Sequence, residues 1–122
     1  MPNYWFDHIH LMSPDPLSTA EFYEKMFGAR QVSTHKMGDG RATVNLDLNG
    51  TTILITQPRG DSSRAGLDHF GVRTDDLSAA AEELKASGVN FTQDVTEVRP
   101  GFKISFLKAP EDVAIELQEG SL

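Results

Sequence analysis

The sequence predicts an α+β fold made of two βαβββ modules in tandem. Three observations lead there. The first is self-similarity: "FDHIHLMSPDPLSTAEFYEKMFGARQV" and "LDHFGVRTDDLSAAAEELKASGVNF" follow one plan, with Asp7-His8 matched by Asp68-His69 at an offset of 61, half of the 122 residues. The second is spacing, because each histidine is followed seven residues later by an acid, Asp15 or Asp76, and then by a helical segment closed by Gly28 or Gly88. The third is the run of alternating segments that follows each helix.

Taken in order, residues 5–11 alternate as a strand does. Asp15 is placed as an N-cap with Pro16 at the first helical position, and Gly28 suits a left-handed C-terminal cap. "RQVST", "RATVNLDL" and "TTILITQ" then read as three strands, the last two joined by Asn49-Gly50, a two-residue hairpin signal. The polar, glycine-rich stretch "PRGDSSRAG" (58–66) is expected to link module one (1–57) to module two (67–122) within a single domain. Residues 67–73 repeat the first strand. Asp76 repeats the N-cap, and Leu77, Ala80, Ala81 and Leu84 set an apolar stripe along one helical face. "VNFTQDV", "FKISFLK" and "VAIELQE" complete the second module, with "APED" as a turn. The segment "TEVRPGF" (96–102) is expected to be a long loop, either a lid or a turn.

Each helix must cover one face of its sheet, and the apolar face of each strand should supply that contact. In the first strand Ile9 and Leu11 share one face while His8 and His10 share the other. In the matching strand Phe70 and Val72 oppose His69 and Gly71; in the last, Val113, Ile115 and Leu117 oppose Ala114, Glu116 and Gln118. One assignment satisfies all three: aliphatics toward the helices, and His8, His69 and Glu116 toward the opposite side. If the two sheets curl toward each other, two imidazoles and one carboxylate meet. Such a set binds Fe(II), Mn(II), Zn(II), Ni(II) or Co(II) without selecting among them, and three protein ligands leave positions open for substrate.

Composition excludes several alternatives. There is no cysteine, which removes disulfides, thiolate ligands and a cysteine nucleophile. A net charge of −7 argues against nucleic acid and against an anionic membrane surface as partners. "MPNYWFDHIH" lacks the basic-then-apolar pattern of a secretory signal, and no apolar run approaches a bilayer span, so a soluble cytoplasmic protein is expected.

The doubled "DH" strand, the "EFYEKMFGA" helix ending in aromatic-Gly and the closing "VAIEL" strand resemble the vicinal oxygen chelate superfamily, which includes glyoxalase I, methylmalonyl-CoA epimerase, extradiol dioxygenases, fosfomycin-resistance transferases and bleomycin-resistance proteins. The resemblance covers almost the whole chain. It implies paired modules forming a cupped, partly open mixed barrel around a divalent metal, commonly in a homodimer. It carries the superfamily's metal ligands onto His8, His69 and Glu116. Glyoxalase I and the epimerases typically add a Glu or Gln from the last strand of module one. Here Leu54 falls opposite Glu116 in the alignment of "TILITQ" with "AIELQE", and Gln57 has the wrong parity for that face.

The implied function is that of a metal-dependent lyase or isomerase acting on a small substrate chelated through two adjacent oxygens. A two-His, one-Glu set is also similar to that of Fe(II)-dependent ring-cleaving dioxygenases, the first alternative. A non-catalytic antibiotic-binding protein of bleomycin-resistance type is the second. His10 shares the face of His8 and is replaced in the repeat by Gly71; it is the candidate catalytic imidazole, as a proton shuttle or a partner of the metal ligands. Arg41 and Arg73 are weaker candidates for an anionic substrate, with His35 expected at the surface and Tyr23 in helix packing.

Overall fold

A computed structural model describes residues 1–60 and 64–121. The order of elements is β1 (Tyr4–Met12), α1 (Pro16–Phe27), β2 (Arg30–Lys36), β3 (Ala42–Leu48), β4 (Thr51–Thr56), β5 (Gly66–Thr74), α2 (Leu77–Ala86), β6 (Asn90–Arg99), β7 (Phe102–Lys108), a short 3₁₀ turn at Pro110–Asp112, and β8 (Ala114–Glu119). This is the expected βαβββ plan, written twice.

Two compact units form. One runs from His8 to Asp68; the other combines Met1–Asp7 with the residues from His69 onward, so the boundaries fall inside β1 and β5 rather than in the linker. In the first unit the strands lie in the order β2-β3-β4-β1, with β1 parallel to β4 and the other pairs antiparallel. The second unit repeats this as β5-β8-β7-β6, with β5 parallel to β8. Each module therefore closes its helical crossover by pairing its first and last strands in parallel.

Local chemistry accounts for the element ends. The Asp15 carboxylate accepts from the Ser18 N–H at 3.3 Å, and Asp76 from the Ala79 N–H at 3.1 Å, each satisfying a donor that the first helical turn leaves over. Gly28 adopts φ 75°, the left-handed conformation that lets its own N–H reach Glu24 O while the Ala29 N–H reaches Tyr23 O. Asn49 and Gly50 both have positive φ, as a tight hairpin between β3 and β4 requires.

Each unit has its own core. In the first, Ala20, Val44, Leu46, Ile53 and Ile55 are buried together with Leu11 and Tyr23 packed on them. In the second, Leu77, Ala80, Leu107 and Leu117 are buried, joined by Val72, Leu84 and Ile115. The aliphatic faces of β1, β5 and β8 thus point where the alternation places them. Val113 does not: it lies outside β8 and is 40% exposed.

Residues 96–102 do not form the long loop expected of them. β6 continues to Arg99, and only Pro100 and Gly101 remain to turn the chain into β7. Two of the three register shifts in β6, between Gln93 and Thr96 and between Glu97 and Arg99, absorb the irregularity, so polar "TEVR" stays paired as an edge strand. The expected linker is shorter as well, since Gly66 already belongs to β5; residues 61–63 lie outside the described residues.

Candidate metal-binding site

His8 stands on β1, on the face opposite Leu11, and is 2% exposed. His10 follows on the same face, half-buried, with its ring 5.8 Å from that of His8 and nearly edge-on to it. A ring nitrogen of each lies within 4.8 Å of the other. The His10 Nε2 is 2.8 Å from the Thr56 hydroxyl, which is itself 3.1 Å from the hydroxyl of Thr43. Both threonines are buried. Alternation puts them there: Thr56 on β4 and Thr43 on β3 are direct ladder partners and share the face that His10 occupies on β1. Nothing in the sequence distinguishes these threonines from ordinary strand residues, so sequence reasoning missed them.

In the other unit, His69 on β5 is 5% exposed and Glu116 on β8 presents a side chain that is 12% exposed. The His69 Nε2 is 3.3 Å from Glu116 Oε1. The edge of the His69 ring meets Phe106 of β7, centroid to centroid 5.1 Å, and Phe106 is the direct ladder partner of Glu116. Phe106 thereby walls the pair on one side.

The donor set fits a divalent ion. Two ligand atoms on one ion, each at roughly 2.1 Å, stand about 3.0–3.4 Å apart between octahedral and tetrahedral geometry, and the His69–Glu116 separation falls in that range. Imidazole nitrogen and carboxylate oxygen are the donors that such ions accept without cysteine.

Leu54 is the residue that the module-one ladder offers at the position of Glu116. It pairs directly with His10 across β1 and β4, as Glu116 pairs with Gly71 across β5 and β8. Gln57 is committed elsewhere: its Oε1 accepts from the Ala42 N–H at 2.9 Å and its Nε2 donates to Pro14 O at 3.4 Å. No carboxamide or carboxylate therefore stands at the last-strand position in module one.

The remaining candidates have structural partners. Arg73 lies with its guanidinium 4.8 Å from the Trp5 ring centre and 3.6 Å from Asp7. Arg41 holds Asp39 at 2.8 Å and donates to Gln57 O at 3.0 Å, and it lines a cavity of about 260 Å³ with Met12, Pro58, Arg59, Arg64 and Asp68. The hydrogen bond from Arg41 also holds the Asp39 carboxyl below the usual aspartate value. His35 is exposed on β2, and Tyr23 packs against the core of its unit.

Comparison with known proteins matches residues 5–117 to the family described as Glyoxalase/Bleomycin resistance protein/Dioxygenase superfamily. A lactoylglutathione lyase of Arabidopsis thaliana is 28% identical over 92% of this chain; the chain spans only 43% of that relative's length. A probable lactoylglutathione lyase of Vibrio parahaemolyticus is 25% identical, covering 90% of this chain and 86% of its own. Among solved structures, the methylmalonyl-CoA epimerase of Mycobacterium tuberculosis superposes with a TM-score of 0.77 at 22% identity, covering 96% of this chain and 88% of that one, which shows the shared fold.

Proposed function

Because the chain belongs to the Glyoxalase/Bleomycin resistance protein/Dioxygenase superfamily, we propose that it is a divalent-metal-dependent lyase or isomerase acting on a small substrate that presents two adjacent oxygens. The observation that carries this is the buried His69–Glu116 pair at the spacing of two donors on one ion, with a second buried imidazole, His8, at the equivalent position of the other module. A lactoylglutathione lyase and a probable lactoylglutathione lyase among the relatives support this reading.

His8, His69 and Glu116 would hold the ion, within one chain or between two copies. When bound, the ion supplies a Lewis acid that polarises the chelated oxygens and favours loss of a proton from the neighbouring carbon. The chain's own groups do the rest. The T-shaped contact with Phe106 helps to hold the plane of the His69 ring. Glu116 brings the negative charge that offsets part of the charge of a divalent ion.

The test is metal content together with turnover. Protein purified from medium supplemented with Mn(II), Co(II), Ni(II) and Zn(II) should carry close to one divalent ion per chain. His69→Ala should lose it, and the loaded wild-type protein should turn over the hemithioacetal of glutathione with a 2-oxoaldehyde, or a 2-carboxyacyl thioester. Absence of metal from the wild-type protein, or full metal retention by His69→Ala, overturns the reading. Oxygen uptake by Fe(II)-loaded protein in the presence of a catechol would replace it with the dioxygenase reading.

A further inference from the structure

The two modules place complementary residues on one equivalent ladder rung. In module two that rung is Gly71 on β5 beside Glu116 on β8. In module one it is His10 on β1 beside Leu54 on β4. Each rung therefore carries one metal-capable side chain and one inert residue, with the donor on the last strand in one module and on the first strand in the other. Both positions face away from the helix of their own unit, since the flanking residues Leu11 and Ile55, or Val72 and Leu117, are the ones that enter the cores.

The geometry points to His10 as a fourth metal ligand, replacing from β1 the donor that Leu54 cannot supply from β4. This rests on the reading of the chain as a metal-dependent enzyme and deepens it. Three observations within the first unit support it. Parallel pairing sets His10 and Leu54 side by side on neighbouring strands about 4.8 Å apart, so a longer side chain on β1 reaches the space that a last-strand side chain would fill. The ring centres of two imidazoles on one ion each lie roughly 3 Å from it, so they can be at most about 6 Å apart; those of His8 and His10 are 5.8 Å apart. Finally, the Nε2 of His10 is held by the Thr56 hydroxyl, with Thr43 behind it. A ligating histidine ordinarily engages one ring nitrogen in this way, which fixes the orientation of the ring.

The count of donors has a chemical consequence. With His8, His10, His69 and Glu116 as ligands, a six-coordinate ion keeps two positions, the number that two adjacent substrate oxygens fill. A role for His10 as the proton-transferring group makes a different demand, because a base must touch substrate rather than metal.

X-ray absorption on the Zn(II)-loaded wild-type protein should count three imidazoles, and competition with a chromophoric chelator gives the affinity. His10→Gly should drop the count to two and weaken Zn(II) by about 100-fold or more, since losing merely an outer hydrogen-bond partner costs roughly 10–100-fold. The double substitution His10→Gly/Leu54→Glu, which copies the module-two rung into module one, should restore affinity to within about tenfold of wild type. Two imidazoles in the wild-type protein, or unchanged affinity in a His10→Gly variant that has lost turnover, overturns the inference and returns His10 to proton transfer. A wild-type protein that binds no divalent ion would instead overturn the function itself, so the two failures are distinguishable.

Discussion

The hydroxyl of Thr56 shows how much a single buried atom can decide. It sits between the His10 ring and the Thr43 hydroxyl, out of water, and it restrains which way the imidazole turns. Thr56→Val keeps the volume and removes the hydroxyl. The expected cost to folding is about 1 kcal/mol, because Thr43 and His10 each lose a buried partner. The expected cost to Zn(II) affinity is larger in proportion, about 10- to 100-fold, if His10 ligates the ion. Urea unfolding of the metal-free protein and chelator competition separate the two effects; Thr56→Ser should recover most of both. The strand faces of His8, His69 and Glu116 were legible in the sequence, because the repeat echoes one histidine in the other and parity places all three away from the aliphatic faces. Thr56 was not legible, because its role depends on which strand lies beside β1, and that neighbour is more than forty residues away along the chain.

At the scale of elements, caps and turns were readable because they are settled by chemistry within a few residues. Asp15, Asp76, Gly28 and the Asn49-Gly50 hairpin all stand as their residue types require. Asp76 does more than end a helix. It starts α2 at Leu77, whose own N–H is taken by Glu119 Oε1 at 2.9 Å, so the helix start is tied to the end of β8, the strand that carries Glu116. Asp76→Ala should cost about 1 kcal/mol, read from the urea midpoint at constant slope, whereas Ala substitution of an exposed residue in the middle of the same helix, such as Glu82, should cost far less. The edge strand β6 was the element least legible in advance. "TEVR" has the composition of a loop, and only pairing with β7 through two register shifts keeps it extended.

For the molecule as a whole, the N-terminal residues are the informative ones. Met1–Asp7 open module one in sequence, yet they belong to the compact unit built from module two. Asn3 secures them there, its backbone and side-chain N–H groups each donating to the Asp75 carboxylate at 2.9 Å. Those hydrogen bonds hold the Asp75 carboxyl below the ordinary aspartate value of 3.8. A lowered folded-state value means that this contribution to stability is present above the unfolded value and fades as the pH falls through the folded one. Asn3→Ala should therefore destabilise the protein slightly at neutral pH and progressively less below about pH 4, with Asp75 titrating closer to 3.8 by carboxyl NMR. The sequence by itself determined the doubled βαβββ plan, the helix ends, the hairpin and the face on which the histidines and Glu116 stand. All of these follow from residue type and periodicity over short spans. Tertiary structure alone decided where the compact units divide, that residues 96–99 remain strand, that Leu54 lies beside His10, and that two threonine hydroxyls back its ring. Each of these is a matter of register between strands far apart in the chain, and periodicity within one strand fixes a face but not a neighbour.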